Sequence, residues 1–313
     1  MDNILFSANI VLPLFLMIAV GFLAKSIKLI EGSFSSGANA LSFKVFLPVL
    51  LFYNIYTCDL SQTADLKLMI TAGIGSVLMI IISAVIVCIF EKDDPKRGTM
   101  IQALFRSNYL LFATPLCAAM FPENGAAVAS LISIIIIPIQ NIGSVIVLSI
   151  FGSREKPGLK DTILSILKNP YIIASALGLL FAFAGISLPG FIMKTLDQLS
   201  KAATPFALVM LGTELDLKGF KGNFARVFLT TSGKIVIWPA IMIGAAILLG
   251  FRGPSYAVLL SLYAAPTAVT SFVMAKASGC DSDLAAQLVV STSFFSLFTV
   301  FGFVLISKAL GVI

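Results

Sequence analysis

The feature that most constrains this chain is a succession of apolar runs, each near the length that a lipid bilayer imposes on a helix. A hydrocarbon core about 30 Å thick takes about 20 residues of helix to cross. Ten such runs, divided by charges or turn residues, lie approximately at Ile4 to Ala24, Ser36 to Tyr56, Leu66 to Phe90, Thr99 to Phe121, Ala126 to Phe151, Tyr171 to Leu188, Leu196 to Leu215, Ala225 to Gly250, Pro254 to Ala275 and Leu284 to Ser307. Of the 313 residues, 58% are hydrophobic and 12% charged, whereas soluble domains run at roughly 45–50% and about 25%. The expectation is an all-α integral membrane protein of ten transmembrane helices. Met1-Asp2-Asn3 brings an acid where a signal peptide has basic residues, and no small-residue cleavage site follows, so the first run is expected to stay as a helix.

The longest polar stretch separates the runs into two sets of five, giving a first repeat at 1–151, a cytoplasmic linker at 152–170 and a second repeat at 171–313. An odd number of spans per half makes the second half enter from the opposite side, the topology of an inverted repeat. Thirteen Lys and Arg residues fall on the side of the central linker and five on the other. By the positive-inside rule the linker is cytoplasmic and both termini are extracytoplasmic. The net charge of +6 is spread over short loops, which argues for topology and against a nucleic-acid partner. The four cysteines occupy different segments and predict no disulfide framework.

Pro115, within Phe112-Ala113-Thr114-Pro115-Leu116, and Pro266, within Ala264-Ala265-Pro266-Thr267-Ala268, sit in the middle of the fourth and ninth spans. An interior proline removes a helical hydrogen bond and clashes with the preceding turn, so both helices are expected to break there. Interrupted spans at corresponding places in two halves point to a transporter substrate site.

Leu47-Pro48, Gln140-Asn141, Ala203-Thr204-Pro205 with Gly212, and Ala265-Pro266-Thr267-Ala268, taken with the five-plus-five layout, resemble the auxin efflux carrier family in its bacterial form, similar to malate- or malonate-type carriers and to plant auxin carriers. The resemblance implies that helices 4 and 9 cross at Pro115 and Pro266. It also implies that helices 1, 2, 6 and 7 form a scaffold, often a homodimeric one, and that helices 3–5 and 8–10 form a transport domain moving a small carboxylate by an elevator mechanism. The chain departs from plant members at Leu116, where they carry asparagine, and at Thr270 or Ser271, where many members do. It also has no acid between Leu66 and Phe90. These departures weigh against auxin itself and leave the carboxylate class intact.

A carboxylate at mid-membrane exchanges its water shell for fixed donors, which half-helix N-termini and short polar side chains supply. The candidates beside the prolines are Asn108, Tyr109, Thr114, Thr267, Thr270 and Ser271, with Gln140 or Asn141 from the fifth span and Ser291, Thr292 and Ser296 from the tenth. Gln140 and Asn141 are adjacent and cannot share one helix face; Asn141 is preferred. Ser and Thr hydroxyls also bond back to their own helices, which is the plainer reading of each alone. Lys44 and Arg106 lie near the cytoplasmic end and are expected to snorkel, whereas Lys234 is too deep and is either the candidate coupling or charge-compensating cation or a donor to the carbonyls of a broken helix, the two readings standing equal. Glycines such as Gly73, Gly75, Gly244 and Gly250 would allow close helix approach.

The chain has no histidine and no acid near the middle of any span, so a proton- or sodium-coupling acid chain is not expected. The reading is a uniporter or weakly coupled carrier of a small organic anion in the plasma membrane, with no cofactor and no metal. A sodium- or proton-coupled symporter of related fold is the alternative. A membrane enzyme is a remote one, for the chain carries no phosphate loop or nucleophile elbow, and saturation with counterflow would separate a carrier from a channel.

Overall fold

The computed structural model of the protein describes residues 13, 16–30, 32–57, 65–152, 164, 167–168, 170–214 and 220–313. The elements among them are helical, with one isolated β-bridge. In order they are α1 (Leu16–Ser26), α2 (Gly32–Leu41), a π turn (Ser42–Phe46), α3 (Leu47–Tyr56), α4 (Leu66–Phe90), α5 (Asp94–Phe105), α6 (Tyr109–Met120), α7 (Gly125–Gly152), α8 (Pro170–Phe183), α9 (Gly190–Glu214), α10 (Phe220–Ser232), a second π turn (Gly233–Ile237), α11 (Trp238–Leu248), α12 (Gly253–Ala264), α13 (Thr270–Ala277) and α14 (Ser282–Ala309). Most of the linker at 152–170, and most of the first run before Leu16, lie outside the described residues.

Local chemistry explains several boundaries. Asp65 caps α4 by accepting from the Leu68 amide at 3.1 Å, and Asp281 caps α14 by accepting from Leu284 at 2.9 Å. Pro95 and Pro254 each occupy the first turn of a twelve-residue helix, where no partner is needed for the missing N–H. Each π turn runs directly into a Leu-Pro or Trp-Pro step. Widening that turn relieves the clash between the proline ring and the carbonyl four residues back.

Among the described residues, four helices are long and apolar enough to cross a membrane: Leu66–Phe90, Leu131–Gly152, Gly222–Leu248 and Ser282–Ala309. On α4 the residues Ile70, Ile74, Leu78, Ile81, Val85 and Ile89 form an exposed apolar stripe, while Leu68, Ala72, Gly75, Ser76, Met79 and Ser83 face inward. An outside as apolar as the core is what a lipid solvent allows and water does not.

Two apolar clusters fill the interior. One joins α4, α5, α6 and α7 to α11, α12 and α14; the other joins α1, α3, α8 and α9 to α13 and parts of α7 and α14. Of the glycines read as close-approach sites, Gly75 holds the Tyr263 hydroxyl where a Cβ would come within 2.1 Å of it, and Gly73 touches α7. Gly244 and Gly250 face open space, and Gly250 is a turn residue with φ +81°. The tightest backbone approach in the first half is one not expected from sequence. A Cβ on Gly21 would meet the Val209 carbonyl oxygen at 1.9 Å, and one on Gly212 the Ile18 oxygen at 2.0 Å, so α1 and α9 cross with nothing but glycine between them.

An ion cluster closes the end of α4. The Glu91 carboxylate accepts from Arg226 of α10 and from the amides of Lys92 and Asp93, at 2.9 and 3.0 Å. The Arg226 hydrogen bond, helped by those amides against the opposing effect of burial, pulls the Glu91 carboxyl from the ordinary 4.5 down to about 2. Because the folded value is the lower one, this contribution to stability is complete above about pH 5. It is lost as the pH falls towards 2. Glu91→Gln should therefore lower the thermal midpoint at pH 7, and the gap from the unsubstituted protein should narrow steadily between pH 5 and pH 3. A gap constant across that range would show that the carboxylate charge is not what ties α4 to α10.

Candidate functional site

Two helix–break–helix units, α5/α6 and α12/α13, meet at their breaks. Ser107 and Thr267 form an antiparallel bridge, in which the Asn108 amide donates to the Pro266 carbonyl at 2.8 Å and the Ala268 amide to the Arg106 carbonyl at 3.3 Å. Two short strands' worth of backbone thus satisfy each other at the point where neither helix can.

The second break follows from its sequence. Pro266 forces the preceding residue out of the helical region, and Ala265 indeed has φ −63° and ψ 146°. The first break is not at Pro115, which lies inside α6 with its backbone helical; it is at Arg106-Ser107-Asn108, where Arg106 has ψ 110°. No proline stands there. The break is held from outside by Gln140, whose Oε1 accepts from the Ser107 amide at 3.1 Å and whose Nε2 donates to the Phe105 carbonyl at 3.4 Å. The crossing point is therefore Ser107 with Thr267, not Pro115 with Pro266.

Arg106 also departs from expectation. It is 4% exposed and does not snorkel. Its guanidinium donates to Thr270 Oγ1 at 3.1 and 2.9 Å, to Ser144 Oγ at 2.9 Å and to the Gln140 carbonyl at 3.3 Å. It thereby ties the end of α5 to the start of α13 and the middle of α7. Lys44, in contrast, is exposed on the first π turn.

The remaining candidates divide by what their polar atoms already do. Thr267 Oγ1 donates to the Ala103 carbonyl and its amide donates to Thr292 Oγ1, which itself donates to Leu288. Ser291 Oγ pairs with Thr231 Oγ1 at 2.9 Å, Ser296 bonds back to Ser293, and the Tyr109 hydroxyl donates to Ala129 at 2.7 Å. The side chains of Thr114 and Pro115 lie outside the described residues. Five buried groups at or within a turn of the crossing keep a polar atom without a partner among the described residues: Asn108 Nδ2, Asn141 Nδ2, Ser107 Oγ, Ser271 Oγ and Gln102 Oε1. Ser107 was not a sequence candidate; its position beside a break shows only once the break is located.

The N-termini of α6 and α13 begin at this same crossing, and each brings a partial positive charge and free amides. Apart from the Gln102 oxygen, the unpartnered groups are donors or hydroxyls, so the arrangement suits an acceptor-rich ligand. Lys234, on the second π turn, is fully buried with Nζ unpartnered among the described residues. That turn packs against α5, α12 and α14, and a Cβ on Gly233 would come within 2.8 Å of Leu104, two residues before Arg106.

Comparison with known proteins gives the chain its relatives. The family model described as "Membrane transport protein" matches residues 6–162 and 158–304. An uncharacterized transporter of Methanocaldococcus jannaschii is 24% identical over 299 residues, covering 93% of this chain and 96% of the relative. An uncharacterized transporter of Methanothermobacter thermautotrophicus is also 24% identical, over 303 residues and 95% of its length. A Rhizobium meliloti protein named "Putative malonate transporter" is 29% identical over 154 residues, 48% of either chain.

Proposed function

This chain belongs to the membrane transport protein family, and from that premise we propose that it is a secondary carrier moving a small organic anion, such as a dicarboxylate or an auxin-like carboxylate, across the plasma membrane. The observation that carries this reading is the set of buried, unpartnered donors at Asn108, Asn141, Ser107 and Ser271 around the paired breaks. A cation would give the amide donors nothing to bond to, while a carboxylate can accept from amides and hydroxyls alike.

In this reading the chain spans the membrane ten times as two inverted five-helix repeats, with both termini extracytoplasmic. α1 to α3, α8 and α9 act as a scaffold that pairs with a second copy, and α4 to α7 with α10 to α14 carry the substrate in an elevator motion. Lys234 is the charge-compensating or coupling group. Transport is uniport or weakly coupled, since a membrane potential contributes about 2.3 kcal/mol per charge per 100 mV.

The test is a set of solid-supported-membrane currents from reconstituted protein, with malate, malonate, succinate, lactate and indole-3-acetate as the panel. Saturable currents that are lost in Asn141→Ala and in Lys234→Ala are expected. No current with any of the five, or currents that survive both substitutions, would sink the reading.

A further inference from the structure

Away from the crossing, a groove opens between α3, α8 and α9, with a volume of about 300 Å³. Its lining is apolar throughout and includes Pro48 and Phe52 of α3 and Pro170, Ile173, Ala174 and Leu177 of α8. Ile173 and Leu177 are 46% and 42% exposed, which puts the groove on the outer surface. Pro170 and Leu177 stand about 10 Å apart by helical rise, so that volume leaves a cross-section of about 30 Å². A helix with its side chains is about 10–12 Å across and cannot enter so narrow a slot, whereas a single extended acyl chain can.

Charge selects which lipid the chain belongs to. Gly178 of α8 packs against α3, where a Cβ would meet the Phe52 carbonyl oxygen at 3.1 Å and Ile55 Cβ at 3.0 Å. The Phe181 ring lies 5.6 Å from that of Phe52 and 6.3 Å from that of Tyr56, whose hydroxyl donates to the Ile186 carbonyl at 2.8 Å. The two helices therefore run in the same direction. Counted back in that register, Lys168, just before α8, stands within about one turn of Lys44, which precedes Pro48 by one turn and shares its face. Both lysines are exposed, and neither makes an ion pair among the described residues. The acid nearest in sequence to the lining, Asp197 beside Leu196, is already paired with Lys201 at 2.6 Å. Two like charges at one end of an apolar groove, without a counter-ion, are the complement of an anionic headgroup carried on an acyl chain.

We propose that the groove holds one acyl chain of an anionic phospholipid whose phosphate sits between Lys44 and Lys168. The proposal needs only that α3 and α8 lie in a bilayer, and it stands apart from which solute the crossing takes. With both termini extracytoplasmic, as in the reading above, the lipid belongs to the cytoplasmic leaflet, where anionic lipids concentrate.

The experiment uses the full chain in detergent, without any transported solute. It measures the thermal unfolding midpoint as phosphatidylglycerol, phosphatidylcholine of identical acyl chains, or inorganic phosphate is added. A saturable rise is expected with phosphatidylglycerol, a weak one with phosphatidylcholine and none with phosphate. Replacing both lysines, Lys44→Gln with Lys168→Gln, should raise the half-saturating phosphatidylglycerol concentration roughly thirtyfold, which is what two lysines contribute at an anionic surface. Ala174→Leu, which fills the groove and keeps both charges, should abolish the saturable rise. No response to either lipid, equal responses to the two, a response to phosphate alone, or an unshifted curve in the double lysine variant overturns the proposal. An Ala174→Leu curve matching the unsubstituted protein overturns the groove as the site; if Ala174→Leu does not fold, the lysine variant, altered only at exposed positions, decides. A midpoint that rises with protein concentration and not with lipid assigns the groove to a second copy and equally overturns the proposal. Because no solute is present, failure here is separable from absence of the transport currents.

Discussion

Arg106→Met is expected to destabilise the protein by about 3 kcal/mol or more, read as a fall in the detergent thermal midpoint with broadened size-exclusion profiles. The guanidinium is nearly inaccessible and its bonds reach Thr270, Ser144 and the Gln140 carbonyl. Deleting it strips donors from three acceptors at once, and a buried polar atom left unpaired costs about 1–3 kcal/mol. Arg106→Lys should recover only part of the loss, since an ammonium keeps the charge but not the fork that reaches two helices together. A midpoint unchanged in Arg106→Met would mean that the side chain is in fact solvated at the headgroups, and would remove the main tie between α5 and α13.

The adjacent pair Gln140 and Asn141 should give opposite phenotypes. In Gln140→Leu the Ser107 amide and Phe105 carbonyl lose their partner, which puts the expected cost at about 2–4 kcal/mol, with protein yield falling accordingly. Asn141→Leu removes an amide whose Nδ2 has no partner among the described residues, so the fold should tolerate it or gain slightly. Its transport should weaken sharply: loss of one hydrogen bond to a carboxylate, about 1.5–3 kcal/mol, corresponds to roughly a ten- to hundredfold rise in half-saturating substrate. If both variants lower the thermal midpoint equally, Asn141 is structural and the substrate lies elsewhere.

These two residues also mark how far the sequence could be read. The apolar runs, the break at Pro266 and the presence of polar groups beside it are legible because they follow from bilayer thickness and from the proline ring, both local causes. The first break is not legible, because nothing in Arg106-Ser107-Asn108 forbids a helix. It is opened by Gln140, 33 residues away along the chain from Ser107, and by backbone pairing with Pro266 and Ala268. Pro115 misled because a single interior proline can be absorbed, as α6 absorbs it. A better cue was present: Pro95 and Pro254 start helices of equal length, twelve residues, and both of those helices end at the crossing. Arg106 was misread for a related reason. Depth from the helix end suggests an escape to the headgroups, but the acceptors that retain it come from α7 and α13, which no local pattern reveals.

The distribution of hydrogen bonds has a mechanical consequence. Those of Arg106, Gln140, Thr267 and Thr292 stay within the helices around the crossing, while Ser35 to Thr213 and Tyr56 to Ile186 stay among α2, α3, α9 and the turn after α8. Between the two groups, Ile18, Ala203, Ala207 and Leu211 share an apolar cluster with Val269, Phe272, Val273, Ala286 and Val289. Dispersion contacts are non-directional and each is worth only about 0.1–0.2 kcal/mol, so one smooth apolar face can trade neighbours with another in small steps. A directional bond would have to be broken outright. Such a boundary has the build of a greased bearing beside a pinned joint: in the proposed elevator motion the apolar face would give low friction, and the crossing, with its bonded backbone, would travel without deforming.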